Sequence, residues 1–498
     1  MKQTLIPRLL LLLLGLIAAA MLPSLLLAAV YGEEEMSRSF GIVLGPALAM
    51  GLGAALSFRK EEIRFRVGEG FLLVFLAWVC ACLLGALPYY LSGRIPRFSN
   101  AVFESASGFT TTGATVIANT ESQPRSLLFW RATTHWLGGM GVVILSAAIL
   151  PLLGAGGSQL MRNESAGPDK DTRISPKITA AAKILWLLYV VLTAVQTVLL
   201  LLGGMNWFDA LIHSFSTLAT GGFSSRNNSI AAFDSPWIDW VTIIFMLLAG
   251  CNFTLIPGML RGKFREVFQN SEIRAYGLII LLSVTIITLS LLSHQDLREP
   301  RPEALTLSGP AAAERCIRQA FFHTASILST TGFSVTNHNE WPVIAQGVLF
   351  FLLFIGGCSG STAGGIKVVR HVVLFKQTGN EMKRLLYPRG IFNIRLNNQV
   401  GRKDVVYGVA GFVFLYLVLA GAAALLLSGA GVEPFSAING GLLMVGNVGL
   451  GLEQFGPGSA LPGDLPGYTK WGLSFVMIAG RLELWTAIVF FSREYWRH

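Results

Sequence analysis

The sequence predicts an all-α polytopic membrane protein: four pseudo-repeated helix, pore-helix, helix units around a central pore, preceded by two N-terminal helices. Three observations carry this. The 498-residue chain is 53% apolar and only 13% charged, several apolar runs approach the length of a bilayer span, and a Thr/Gly motif recurs four times. Soluble domains carry about 25% charged residues, so the deficit places most of the chain in lipid.

The runs Leu9–Val30, Phe71–Leu91, Ile184–Leu202 and Tyr407–Leu427 approach the roughly 20 apolar residues that cross a bilayer. The net charge of +10 does not point to nucleic acid, because the basic residues sit in short loops between apolar runs, as cytoplasmic loops do. Cys80, Cys82, Cys251, Cys316 and Cys358 lack metal-ligand spacing and read as packing residues. Met1–Arg8 precedes a leucine-rich run of about 22 residues, longer than a signal-peptide core; an uncleaved first helix is expected.

The repeat is the most informative feature. "ASGFTTTGATV" (106–116), "SFSTLATGGFS" (214–224), "ASILSTTGFSV" (325–335) and, more weakly, "LLMVGNVGLGL" (442–452) align on Gly113, Gly221, Gly332 and Gly449, spaced 108, 111 and 117 residues apart. Before each stands a short semi-apolar segment (98–109, 206–218, 315–328 and 433–445), too short to cross and therefore a re-entrant half-helix. The spanning run after each strip carries a second glycine, Gly139, Gly250, Gly357 or Gly480, where helices approach closely or break. The expected divisions are 1–66 for the helix pair, then 67–178, 179–272, 273–400 and 401–498 for the four repeats.

Charge sets the expected orientation. Arg59, Lys60, Arg64 and Arg66, then Arg162, Lys170, Arg173 and Lys177, then Arg261, Lys263 and Arg265, then Lys376 to Lys403 join one unit to the next. These joints belong to the cytoplasm, which puts the Thr/Gly strips and "GEEE" (32–35) outside. Ten full spans with both termini cytoplasmic are expected.

Non-helical backbone at membrane depth survives only when buried in protein or lining a water-filled cavity. Four strips converging on one axis satisfy that condition, with carbonyl oxygens replacing water around a dehydrated cation. The C-terminal ends of the half-helices add partial negative charge. The alternative is a set of ordinary interhelical turns.

The four membrane–pore–membrane units, "FWRATTHWLGGMGVVILSAAILP" (129–151), "STLATGGFS", "STTGFS" and "GRLELW" resemble the Trk/Ktr/HKT superfamily of potassium transporters. The extra helix pair and the terminal arginine-bearing helix are similar to its TrkH-type membrane subunit. The resemblance implies a homodimer in the bacterial inner membrane that takes up potassium, with a cytoplasmic nucleotide-binding ring of the TrkA type as regulatory partner. Potassium is then the transported ligand, nucleotide belongs only to the partner, and this chain holds no cofactor of its own. The resemblance puts cation-coordinating carbonyls at Thr111, Thr112 and Gly113; Ala219, Thr220 and Gly221; Thr330, Thr331 and Gly332; and Asn447, Val448 and Gly449. With one glycine common to the strips and differing residues after it (Ala114, Gly222, Phe333, Leu450), selection is expected to be looser than in a potassium channel, admitting some sodium.

Two features fall below the strips. Gly356, Gly357, Cys358, Ser359, Gly360, Ser361, Thr362, Ala363, Gly364, Gly365 and Lys367 lie in one stretch that holds five glycines, each costing roughly 1 kcal/mol against alanine in a helix; they read as a gating loop or as a close helix contact. Arg481 lies inside an apolar segment, where insertion costs about 2.5–3.5 kcal/mol; it reads as a cation barrier in the pore or as half of a buried ion pair. Glu483 is two residues on, a poor partner for it. The basic stretch Lys376–Lys403 suits anionic lipid headgroups or a partner protein. His213 and His323 fall at unmatched repeat positions and read as structural.

A secondary symporter driven by protons or sodium is the rival, with Glu104 and Glu483 the main deep carboxylates for it. A membrane enzyme lacks any HExxH, CxxC or nucleophile-elbow pattern.

Overall fold

The computed structural model describes residues 5–57, 67–144, 176–295, 310–397, 399–400, 403–461 and 465–497. The expected basic joints at 59–66 and at Arg162, Lys170 and Arg173 lie outside the described residues. Helix α1 (Leu5–Ala19) and helix α2 (Leu22–Val30) form one apolar stretch interrupted at Ala20 and Met21, with a proline in the first turn of α2. A turn through Gly32 leads to α3 (Glu34–Leu56). Helices α1 and α3 touch backbone to backbone: a Cβ on Gly51 would lie 2.7 Å from the Gly15 Cα. This is the close approach that small residues permit between membrane helices.

Four units of like design follow. The first is α4 (Val67–Leu91), α5 (Phe98–Phe109) and α6 (Arg125–Ile144); the second is α7 (Pro176–Leu202), α8 (Trp207–Leu218) and α9 (Pro236–Gly250). Short helices α10 (Ile256–Leu260) and α11 (Phe264–Gln269) lead to the third, α12 (Ser271–Gln295), α13 (Pro310–Leu328), α14 (Val343–Leu352) and α15 (Val368–Leu386). A ribbon of β1 (Arg395–Leu396) and β2 (Gln399–Val400) precedes the fourth, α16 (Lys403–Gly429), α17 (Pro434–Gly446) and α18 (Gly467–Arg481), with α19 (Trp485–Ile488) after it. Among the described residues the regular structure is therefore helical apart from one two-residue antiparallel pairing. The Lys376–Lys403 stretch is not a plain basic loop, since α15 runs on to Leu386 and the ribbon follows.

Among the described residues, six helices are long and apolar enough to cross a membrane: the N-terminal pair and the first helix of every unit. The second helices depart from the expectation of ten full spans. Helix α6 carries Arg131, Thr133, Thr134 and His135, all buried, and α18 carries buried Lys470 and Arg481, while α9 has 15 residues and α14 only 10. Helices α6 and α18 bury these polar groups within the protein, so their sequences need not be apolar all round, whereas α14 leaves Val343, Ile344 and Phe351 exposed.

The half-helices are α5, α8, α13 and α17. At 1.5 Å per residue, the 12 residues of α5 or α8 rise about 18 Å, short of the ~30 Å hydrocarbon core. Asn206 starts α8 by accepting the Asp209 amide at 2.8 Å, a standard N-cap. Helix α13 begins at Pro310, five residues earlier than the sequence suggested, because proline favours the first turn and Ala311–Ala313 propagate it.

Replacing Gly51 with leucine is expected to force α1 from α3, at a cost of roughly 1–3 kcal/mol for overpacking. A lowered melting temperature in detergent with an unchanged ratio of rubidium to sodium flux is the expected outcome, because this contact lies outside the strips.

Candidate functional site

Each half-helix ends in the same backbone turn. The amides of Thr112, Gly221, Thr331 and Val448 donate to the carbonyls of Ser107, Ser216, Ser326 and Leu443 at 2.9, 2.8, 2.8 and 3.1 Å. The residue just before each donor is left-handed: Thr111, Thr220, Thr330 and Asn447 have φ of 53°, 56°, 58° and 54°. This is the six-to-one C-terminal turn that glycine usually makes. A β-branched residue there is a genuine outlier, held at about 1–3 kcal/mol by its surroundings.

Two residues after the left-handed position, φ is positive again, at Gly113, Gly222, Gly332 and Gly449. The equivalent glycine of the second strip is thus Gly222 and not Gly221. Gly221 matches Thr112, and Ala219 is the helix cap matching Thr110. The sequence offered two adjacent glycines there, and only the handedness of the backbone separates them. The residues that follow the ring glycines are Ala114, Phe223, Phe333 and Leu450.

The four strips close on one another in order. A Cβ on Gly113 would overlap the Gly221 carbonyl oxygen, one on Gly222 that of Thr331, one on Gly332 that of Val448, and one on Gly449 that of Thr112. No residue but glycine fits this ring at any of the four places. φ alternates in sign along each strip, which brings successive carbonyls toward one side. All four ring glycines line a single cavity of about 80 Å³. Among the described residues no group of three His, Cys, Asp or Glu side chains gathers anywhere. The arrangement brings together four of the predicted triplets, the second shifted by one residue. Asn447 adds a bond between strips, donating from Nδ2 to the Thr112 hydroxyl at 2.9 Å.

A further set of residues braces the strips. Seven positions before each left-handed residue stand Glu104, His213, His323 and Gly440. The two histidines therefore occupy matched repeat positions; they seemed unmatched because of the misplaced glycine. Glu104 accepts the Thr115 hydroxyl at 2.9 Å, the Val116 amide at 2.9 Å and Arg131 Nε at 2.8 Å. His213 spends both ring nitrogens on the Asp209 carbonyl and the Ser224 hydroxyl, at 2.7 and 2.9 Å. His323 reaches the Thr336 hydroxyl at 3.3 Å. In the fourth unit Asn439 does the work from the neighbouring position, donating to the Leu452 carbonyl at 2.8 Å. Beyond the third strip, burial holds the His338 imidazolium down to about 4; the ring is neutral and its Nε2–H donates to the Gly451 carbonyl at 2.7 Å.

The Glu104–Arg131 pair is fully enclosed, and removing one member of such a pair costs about 3–5 kcal/mol. The Arg131 guanidinium also lies 3.9 Å from the Phe223 ring centre, and Phe223 stacks on His135 at 4.0 Å. Asp209 similarly holds Ser225 at 2.6 Å and Arg226 at 2.8 Å. At the same end of the molecule, Glu33 of the "GEEE" segment accepts the Arg125 amide at 2.7 Å, capping α6.

The glycine-rich stretch is non-helical from Leu353 to Lys367, between α14 and α15. It packs directly beneath the ring. The Gly364 amide donates to the Thr330 hydroxyl at 2.7 Å, and a Cβ on Gly364 would overlap the Gly446 carbonyl oxygen. Arg481 Nη1 donates to the Thr362 carbonyl at 2.7 Å, while its Nε and Nη2 have no partner. Arg481 is buried, and no carboxylate among the described residues pairs with it. Glu483 instead pairs with Arg370, whose guanidinium lies 3.7 Å from the Phe412 ring centre. The ion-pair reading of Arg481 is thus replaced by a bond to the glycine-rich segment.

Comparison with known proteins agrees with this architecture. The family profile described as TrkH, cation transport protein, matches residues 39–497. The chain is 38% identical to the Trk system potassium uptake protein TrkH of Escherichia coli, covering 95% of each chain. It is 37% identical to the protein of the same name from Halomonas elongata over the whole of both. The crystal structure of the potassium transporter TrkH from Vibrio parahaemolyticus superposes with a TM-score of 0.86 at 34% identity, covering 100% of each chain.

The two glycines of the second strip differ in what crowds them. A Cβ on Gly221 meets the His135 ring, a side chain, whereas one on Gly222 meets backbone and carries a left-handed φ, costing roughly 1–2 kcal/mol in an L-residue before any clash. The Gly221→Ala lesion in cation flux is therefore expected to be relieved by His135→Ala. The Gly222→Ala lesion is expected to persist in the same background; equal rescue of both would refute the corrected register.

Proposed function

The chain belongs to the TrkH family of cation transport proteins, and from that premise we propose that it takes up potassium through the ring of four strips. The observation that carries this reading is the closed circuit of strips, with Gly113, Gly222, Gly332 and Gly449 around one cavity. Carbonyls at 111–113, 220–222, 330–332 and 447–449 serve as the cation ligands, replacing its hydration shell. Because the strips are not identical, with Gly221 in the second and Asn447 and Val448 in the fourth where the first and third carry threonine, potassium is preferred and some sodium passes.

The segment 353–367 acts as the gate. Its position under the ring and its many single bonds to other helices suit a plug that clears the path when those bonds release. Arg481 places a positive charge at the gate and ties it through Thr362, which disfavours cation leakage. The relatives named above are Trk system proteins; on that basis the chain is the multi-pass inner-membrane subunit, homodimeric, with both termini cytoplasmic. A TrkA-type nucleotide-binding ring then docks on the cytoplasmic side and governs the gate. Passive flow is favoured over proton or sodium symport because Glu104 and Glu483 are already committed to Arg131 and Arg370.

Rubidium and sodium flux into liposomes holding the purified chain tests the reading. Rubidium flux exceeding sodium flux and indifferent to a pH gradient is expected; flux that follows the pH gradient would establish the symporter instead. Arg481→Ala is expected to raise rubidium flux roughly ten- to a hundredfold, as loss of a charged hydrogen bond of about 1.5–3 kcal/mol implies. Unchanged or reduced flux in well-folded protein would remove Arg481 from the barrier.

A further inference from the structure

Glu272 is the second residue of α12 and is almost fully buried. Its Oε1 accepts the Ser359 amide at 2.6 Å and the Val369 amide at 3.2 Å. One carboxylate oxygen thus holds the glycine-rich segment in its middle and again just past its end, where α15 begins. The carboxylate also sits at the N-termini of α12 and α15, where negative charge is favoured, and Lys367 and Arg370 are the cations that face it.

The position of Glu272 is itself fixed from outside the unit. Asn397, the left-handed turn residue of the β1–β2 ribbon with φ of 46°, accepts the Ser271 amide at 2.8 Å and the Ser271 hydroxyl at 3.0 Å. The ribbon is anchored in turn by Ile394 and Leu396, clustered with Val373 of α15 and Val409 of α16. Lys376 Nζ adds a bond to the Arg395 carbonyl at 2.6 Å.

We propose that Glu272 is the positioning residue of the gate, and that the ribbon turn at Asn397 sets it, forming one chain of contacts from the linker between units 3 and 4 to the segment beneath the ring. This rests on the reading of 353–367 as the gate. Movement of the ribbon displaces the first turn of α12, withdraws one acceptor from two amides at once, and frees the segment. The four cation strips are untouched by that step, so selection is preserved while the path opens.

The test uses the full chain and two separate readouts. Cys358, buried within the segment, reports its seating: its rate of modification by a polar thiol reagent is followed in nanodiscs by residue-resolved mass spectrometry. Rubidium and sodium flux in liposomes reports the path. Glu272→Ala is expected to label roughly tenfold faster, the scale set by charge-assisted hydrogen bonds, and to raise flux with an unchanged rubidium-to-sodium ratio. Glu272→Gln keeps an acceptor oxygen and is expected to stay close to the native protein. Asn397→Gly keeps the left-handed turn but loses the acceptor and moves both readouts in the direction of Glu272→Ala; Asn397→Asp restores them.

Unchanged Cys358 labelling in Glu272→Ala overturns the proposal whatever the flux. Faster labelling with unchanged flux upholds Glu272 as the holder of the segment and refutes the segment as the gate. Faster labelling with a lost ratio shows collapse of the ring and overturns the proposal. An Asn397→Gly variant that labels like the native protein removes the ribbon from the chain of contacts.

Discussion

Everything in this structure follows from the need to end four helices in the middle of the molecule. A helix that stops leaves its last carbonyls without partners, and away from water each such group is costly. All four ends use one solution, a left-handed residue that turns the next amide back onto the helix. The chain that emerges is non-helical and must find company. It finds the other three strips, each glycine seated against the carbonyl of the next strip. No single strip is viable alone, so the ring is an all-or-nothing element of the fold.

The remaining polar groups are arranged to hold that ring. Glu104, His213 and His323 rise from one helical position to grip the outgoing limb of their own strips. Glycine replaces them at 440, and Asn439 takes over from the adjacent position. The units share a backbone path and not a side-chain set, which is why strips as different as "TTTGA" and "GNVGL" close the same circuit. The deep charges obey the same economy: Arg131 and Arg370 are paired with carboxylates and lie against aromatic rings.

Much of this was legible in the sequence. Four copies, a half-helix before each, a glycine column and a helix break at 356–367 follow from local pattern, because length, composition and glycine content are written in neighbouring residues. The register of the second strip was not, since Gly221 and Gly222 are chemically identical and only a threonine in a left-handed conformation tells them apart. That single slip also hid the matched places of Glu104, His213 and His323. Pairings such as Glu104 with Arg131 or Glu483 with Arg370 join residues 27 and 113 positions apart, and no local periodicity encodes them. A constant seven-residue offset between a polar helix residue and the turn was the available signal, readable only once the turn had been placed by its handedness.

The glycine-rich segment differs from the helices around it in how its backbone is satisfied. A helix holds itself by a continuous ladder and opens cooperatively from a costly nucleus. Here the Cys358 amide bonds to the Gly250 carbonyl of α9, the Ser359 amide to Glu272 of α12, and the Gly364 amide to Thr330 at the end of α13. The Thr362 carbonyl takes Arg481 of α18. These four bonds come from four different helices, the Thr362 hydroxyl adds a second to α9 at the Ala249 carbonyl, and the Gly356 amide bonds to the Ile366 carbonyl within the segment itself. Glycine makes this possible, because it lets the segment lie against carbonyls that a side chain would strike. A stretch that is poor as a helix is for the same reason able to lie close against the ends of α13 and α17, tied to its neighbours by separate bonds.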